Sequence, residues 1–84
     1  MNKPDIIATR AIIRNRQVVL SLLDGSTHTF PTHYYPRLAT ASGKQLSAIK
    51  LRVGGRALRW DELDEDIWVA DALLGRYPAS LAPV

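Results

Sequence analysis

Trp60-Asp61-Glu62-Leu63-Asp64-Glu65-Asp66-Ile67-Trp68-Val69-Ala70-Asp71-Ala72-Leu73-Leu74-Gly75 decides the fold, because it holds both tryptophans and six of the eight acidic residues. Asp64 and Asp66 are N-cap residue types, and carboxylates crowded ahead of a helix are stabilised by the positive end of its dipole. Ile67, Ala70, Leu73 and Leu74 recur at helical spacing, and Gly75 stands where a left-handed C′ residue ends a helix. The spacing predicts a short amphipathic helix. At about two turns it is too short to be stable alone in water, so its apolar face must pack on the chain upstream.

That upstream chain reads as sheet. Ile49 to Val53 alternates, Gly54-Gly55 is a two-residue turn, and Arg56 to Trp60 returns as a partner strand. Pairing Val53 with Arg56 sets Leu51 opposite Leu58 and Ile49 opposite Trp60 on the buried face. The other face then has Arg52 opposite Ala57 and Lys50 opposite Arg59. Two like charges directly opposed cost roughly a few tenths of a kcal/mol or more unless an anion lies between them. The anion is either internal or foreign. Asp61, Glu62, Asp64, Glu65 and Asp66 follow at once and can fold back beside the hairpin. Alternatively, Lys50, Arg52 and Arg59, with Arg10, Arg14 and Arg16 from the N-terminal strands, form a phosphate-binding footprint of the β-ribbon kind, though without the interleaved aromatics of single-strand binders.

Further upstream, Ile6 to Ile13 and Gln17 to Leu23 are aliphatic and β-branched runs joined at Arg14-Asn15-Arg16. Asp24-Gly25 is the strongest hairpin signal. As a type I′ loop it pairs Leu23 with Ser26, Leu22 with Thr27 and Ser21 with His28, giving a third strand over Ser26 to Phe30. Val18, Leu20 and Leu22 then share one face, and His28 lies with Ser21 on the other as a surface residue. Pro36 suits the first position of a helical turn continued by Leu38, Ala39 and Ala41, and Ser42 with Gln45 has the form of a capping box that carries Leu46 inward. Tyr34 and Tyr35 read as packing residues at the edge of the core.

The expected architecture is α+β: a small antiparallel sheet of about five strands in two hairpins, a short helical segment in the middle, and a C-terminal amphipathic helix packed on the sheet. Eighty-four residues make a single domain, with 6–75 as the folded core and 1–5 and 76–84 as flexible ends. There is no cysteine, which removes disulfides, thiolate metal sites and cysteine nucleophiles and suits a reducing cytoplasm. No apolar run reaches the length of a signal peptide core or a membrane span, so the chain reads as cytoplasmic with no membrane partner.

The net charge of +3 hides a segregation. Residues 1–59 carry ten Lys and Arg against Asp5 and Asp24, a net +8, whereas residues 60–84 carry Arg76 against six acids, a net −5. Such a layout either neutralises itself internally or presents one sign to a partner.

Catalytic signals are missing. His28 and His33 are isolated, and the acids of 61–66 are interrupted by Leu63, without the alternating ligands, glycine turn and distal glutamate of a calcium loop. Gly54-Gly55 lies between strands and not ahead of a helix, so it is no phosphate loop. The reading is of a protein that is not an enzyme and uses no metal or cofactor.

Asp24-Gly25, Phe30-Pro31, Tyr35-Pro36-Arg37-Leu38 with Ala41, and Trp60 followed by Glu62-Leu63-Asp64-Glu65-Asp66-Ile67, Val69 and Leu73-Leu74-Gly75 resemble the small bacterial family known as domain of unknown function 2442. The likeness runs from about Val18 to Gly75. Arg59 stands where that family often has histidine, and Asp61 where it often has proline. The resemblance implies a compact α+β fold with a terminal helix. It also implies a binding, antitoxin-like role, since members are often encoded beside a second small family. The functional expectation is therefore a module that binds a protein partner, with Trp60, Asp61, Glu62, Asp64, Glu65 and Trp68 either as the clamp that seats the helix or as the contact surface. A homodimer is a further option. A nucleic-acid-binding regulator using Arg10, Arg14, Arg16, Lys50, Arg52 and Arg59 is the alternative.

Overall fold

The computed structural model describes residues 6–77. Most of the expected flexible ends, 1–5 and 78–84, lie outside the described residues. Six strands form two three-stranded antiparallel sheets: β1 (Ala8–Arg14), β2 (Gln17–Leu22) and β3 (Thr27–Pro31) in the first, and β4 (Lys50–Arg52), β5 (Ala57–Trp60) and β6 (Glu65–Trp68) in the second. Between them the chain makes a 3-10 turn at Thr32–Tyr34 and two short helices, α1 (Pro36–Ala39) and α2 (Gly43–Ser47); α3 (Val69–Leu73) follows β6. The fold is thus α+β as expected, with six strands in place of five and two sheets in place of one.

The core is one cluster fed by every layer. Val18, Leu20 and Phe30 enter from the first sheet, Leu58, Trp60 and Ile67 from the second, Leu38 and Leu46 from the helical segment, and Val69 and Ala72 from α3. The two sheets touch where the β4–β5 loop meets β1. A Cβ on Gly55, which has φ +89°, would sit 2.3 Å from the Ala8 carbonyl oxygen and 2.9 Å from Ile7 Cγ2. Only glycine allows that approach in that conformation.

The Lys50–Trp60 hairpin keeps the expected register, Lys50 opposite Arg59, Leu51 opposite Leu58 and Arg52 opposite Ala57, but the expected two-residue Gly54-Gly55 turn is a four-residue loop in which Val53–Gly55 make a 3-10 turn and the Arg56 amide donates to Val53 O (3.2 Å). The N-terminal meander does not. Ser21 pairs with Thr27, Leu20 with His28 and Val18 with Phe30, one residue away from the expected register. The type I′ geometry belongs to the first turn, where Asn15 and Arg16 both have positive φ. At the second turn Gly25 has positive φ and Asp24 does not. The Asp24 carboxylate accepts from the Ser26 amide (2.9 Å) and hydroxyl (2.5 Å), which lengthens the loop to three residues and slips the pairing. His28 therefore shares the face of buried Leu20 and is half-buried, not a surface residue beside Ser21.

The helical expectations divide similarly. Ser42 and Gln45 form the capping box, with the Gln45 amide donating to Ser42 Oγ (3.1 Å) and the Ser42 amide to Gln45 Oε1 (2.9 Å). Pro36 opens α1. Gly75 (φ +73°) closes α3 in a Schellman arrangement, its amide donating to Ala72 O and that of Arg76 to Asp71 O (2.9 Å). The start of α3 is later than expected. Asp64, with φ +50°, is the left-handed residue of the β5–β6 turn and no N-cap, and Asp66 lies within β6. Asp tolerates that conformation better than most residues, which is why an acid-rich segment can turn here.

Candidate functional site

Alternation along β4, β5 and β6 puts Lys50, Arg52, Arg59, Asp66 and Trp68 on the outer face of the second sheet. Arg59 is its centre. Its guanidinium donates to Asp61 Oδ1 (2.9 Å), Asp64 Oδ1 (3.0 Å) and Asp66 Oδ2 (2.6 Å), and Lys50 donates to the other oxygen of Asp61. Two hydrogen bonds, first to Asp64 and then to Asp61, hold the Arg59 proton even more tightly than usual. Those from Lys50 and then Arg59 hold the Asp61 carboxyl below its ordinary 3.8. The anion between the opposed cations is internal.

The acidic turn is also fastened from the helices. Gln45 of α2 donates to Glu62, and Arg37 of α1 donates to the Asp64 backbone oxygen. Among the described residues no group of three or more His, Cys, Asp or Glu side chains is placed to hold a metal ion. The three aspartates converge on a guanidinium.

The two tryptophans have opposite fates. Trp60 is 1% exposed and its Nε1 donates to Leu46 O (2.9 Å), so it ties the second sheet to α2 within the core. Trp68 is 54% exposed. Of the residues expected to make the contact surface, Trp60 is therefore structural. Asp61, Glu62 and Asp64 remain at the surface with Trp68, and Glu65 is half-buried.

The six expected phosphate-binding cations do not form one patch. Arg10 and Arg14 lie on the outer face of the first sheet, exposed and without an ion pair among the described residues. Lys50 and Arg59 are in the network just described. Arg16 donates to Ala39 O (3.2 Å) and Ala41 O (2.9 Å), capping α1 at the end where a cation is favoured. Arg52 is exposed and unpaired among the described residues.

A cleft of about 230 Å³ runs along the open edge of β6, an element the sequence did not suggest. Glu65, Asp66 and Trp68 line it from β6, Asp71 from α3, Arg76 and Tyr77 from the exit of α3, and Tyr35 from the far side. Tyr35 is 5% exposed, and its hydroxyl has no hydrogen-bond partner among the described residues. Burial, with smaller contributions from Tyr77, Asp71 and Glu65, raises that hydroxyl well above its ordinary pKa of 10. Tyr77 belongs to the fold although 76–84 was expected to be loose. Its ring lies 4.4 Å from that of Tyr34 and meets Tyr35 edge-on at 5.8 Å.

Against this geometry stand the comparisons with known proteins. The family described as "Protein of unknown function (DUF2442)" matches residues 8–78. The chain belongs to this family. A crystal structure of a protein of unknown function from Rhodospirillum rubrum is 27% identical, covers 90% of this chain and 94% of its own, and superposes with a TM-score of 0.84. A solution structure of an uncharacterised protein from Chromobacterium violaceum, 20% identical over 88% of this chain and 70% of its own, shares the fold with a TM-score of 0.74. No curated protein matches the chain. Among the described residues no helix is long and apolar enough to cross a membrane.

Proposed function

We propose that this member of the family is a non-enzymatic module that binds a protein partner in the cytoplasm, as the antitoxin-like half of a two-protein pair. The observation that carries this reading is Trp68, a large aromatic side chain left 54% exposed on the outer face of the second sheet, whereas Trp60 on the inner face is buried. Exposed tryptophans flanked by charged groups are where binding energy concentrates in protein interfaces. Here Arg52 stands on the same face, and Asp61, Glu62 and Asp64 supply a charged rim.

The nucleic-acid alternative rests on Arg10, Arg14 and Arg52, since Lys50, Arg59 and Arg16 already have internal acceptors. Phosphate contact by Lys50 or Arg59 requires breaking bonds to carboxylates that follow in the same chain, which weakens it.

The test is capture from the native host with N-terminally tagged protein, with and without nuclease, comparing wild type with Trp68→Ala. The expected result is one stoichiometric protein that survives nuclease and is lost with Trp68→Ala, while the variant keeps its fold by circular dichroism. Recovery of nucleic acid that disappears in an Arg10→Gln, Arg14→Gln variant and falls steeply with salt would replace the protein-binding reading with the alternative.

A further inference from the structure

We propose that the cleft along β6 seats a cationic side chain, arginine before lysine, projected by the protein partner. This rests on the protein-binding reading and says where one contact is made. Three observations lead there. Tyr35 lines the cleft, and its hydroxyl is buried with no partner among the described residues, which leaves a desolvated donor and acceptor uncompensated. Glu65 and Asp71 line the same space, close enough to act on that hydroxyl electrostatically but without hydrogen-bonding it. The walls include the aromatic rings of Tyr77 and Trp68.

The charges select the occupant. Asp66 is engaged by Arg59, whereas among the described residues Glu65 makes no ion pair and Asp71 has only a loose contact with Arg76 at 3.8 Å. An anion entering the cleft meets three carboxylates and one arginine. An apolar group leaves the Tyr35 hydroxyl without a partner and Glu65 with only the Asp66 amide. A guanidinium reverses both defects, because its five donors in a fixed fork can reach the Tyr35 oxygen and two carboxylates together while its face lies against an aromatic ring. An ammonium has the charge and three donors but lacks the planar fork, which sets the preference for arginine.

The experiment uses the full chain labelled with ¹⁵N and titrated with N-acetyl-arginine amide, N-acetyl-lysine amide and the uncharged N-acetyl-glutamine amide. The expected result is saturable shifts of the Trp68 indole and the Asp71 and Tyr77 amides with the arginine probe, weaker with lysine and absent with glutamine. Tyr35→Phe, which keeps the ring and removes only the oxygen, should weaken arginine binding by about fivefold, as loss of one hydrogen bond does. Glu65→Gln with Asp71→Asn should abolish it and release the captured partner. Equal shifts with the glutamine probe, or affinity unchanged in both variants, overturns the proposal. So does retention of the partner by the double variant, which leaves protein binding standing and places it elsewhere. Failure of the wild type to capture any protein instead removes the underlying reading, and this assignment with it.

Discussion

The two sheets are built alike and solve the same problem differently. Each is a three-stranded antiparallel meander that gives its inner face to one core and sets cations on its outer face. In the first, Arg10 and Arg14 lie two pleats apart along β1, opposite Ser21 and Gln17, so no like charges confront each other and no anion is required. In the second, Lys50 and Arg59 are direct cross-strand partners, and Asp61, Asp64 and Asp66 gather around them. The lesson is that net basic charge in a sequence half does not mark a basic surface. Cross-strand register decides whether a cation is solvated or already engaged.

The comparison can be broken most severely at its core. Trp60→Ala should cost about 3–5 kcal/mol in chemical denaturation, since it empties the largest buried site and orphans Leu46 O. Trp68→Ala on the outer face should stay within about 1 kcal/mol, and an equal loss at both positions would contradict the assignment of one to packing and the other to binding. Next is the joint between the sheets. Gly55→Ala should cost about 2–3 kcal/mol, because its Cβ collides with backbone and its φ is left-handed; a urea midpoint unchanged from wild type would mean that the sheets do not meet there.

Smaller effects sharpen the electrostatic half. Arg59→Leu should lower the melting temperature while Arg10→Leu leaves it nearly unchanged, and the Arg59 effect should shrink at high salt. The pH limits follow from the shifted groups. Asp61 has its folded pKa depressed below 3.8, so its contribution is present above that value and is lost as pH falls through the folded one. Lys50→Gln with Arg59→Gln should flatten that acid limb. Tyr35 has a raised folded pKa, so the unfolded chain ionises first above 10 and stability falls as pH climbs from there; Tyr35→Phe should remove that alkaline loss in thermal melts recorded across the range.

Legibility followed the strength of local rules. The Lys50–Trp60 register, the Ser42–Gln45 capping box, Pro36 at the start of α1 and Gly75 at the end of α3 were all readable, because each depends on residues a few positions apart. β6 was not. Glu65-Asp66-Ile67-Trp68 alternates for only four residues, and its acids suit a helix start better than a strand until Arg59 is placed opposite Asp66. The Asp24-Gly25 slip arose because Asp-Gly serves both a two-residue loop and a three-residue loop with an Asx turn. The need for an anion beside Lys50 and Arg59 was legible from their clash, but whether that anion is internal or foreign is decided only by the placement of Asp61, Asp64 and Asp66 around Arg59. The cleft was not legible, because Tyr35, Asp71 and Tyr77 carry no common motif and meet only through tertiary packing. The signal that could have flagged Tyr77 is its place just past a helix-ending glycine, where the chain can turn back on the fold.

Each sheet is drawn from one unbroken run of chain, 8–31 and 50–68, with turns of two to four residues. Pairings so close in sequence lose little chain entropy on closing, and meanders of this kind form quickly compared with Greek-key arrangements. The contact of Gly55 with Ala8 instead joins distant parts of the chain. Docking of the two meanders is then the expected late event, and its disruption should appear in the rate of escape from the native state. A chevron in which Gly55→Ala steepens nothing, leaves refolding where it was and speeds unfolding is the kinetic signature of that order; slowed refolding would place the joint in the folding nucleus.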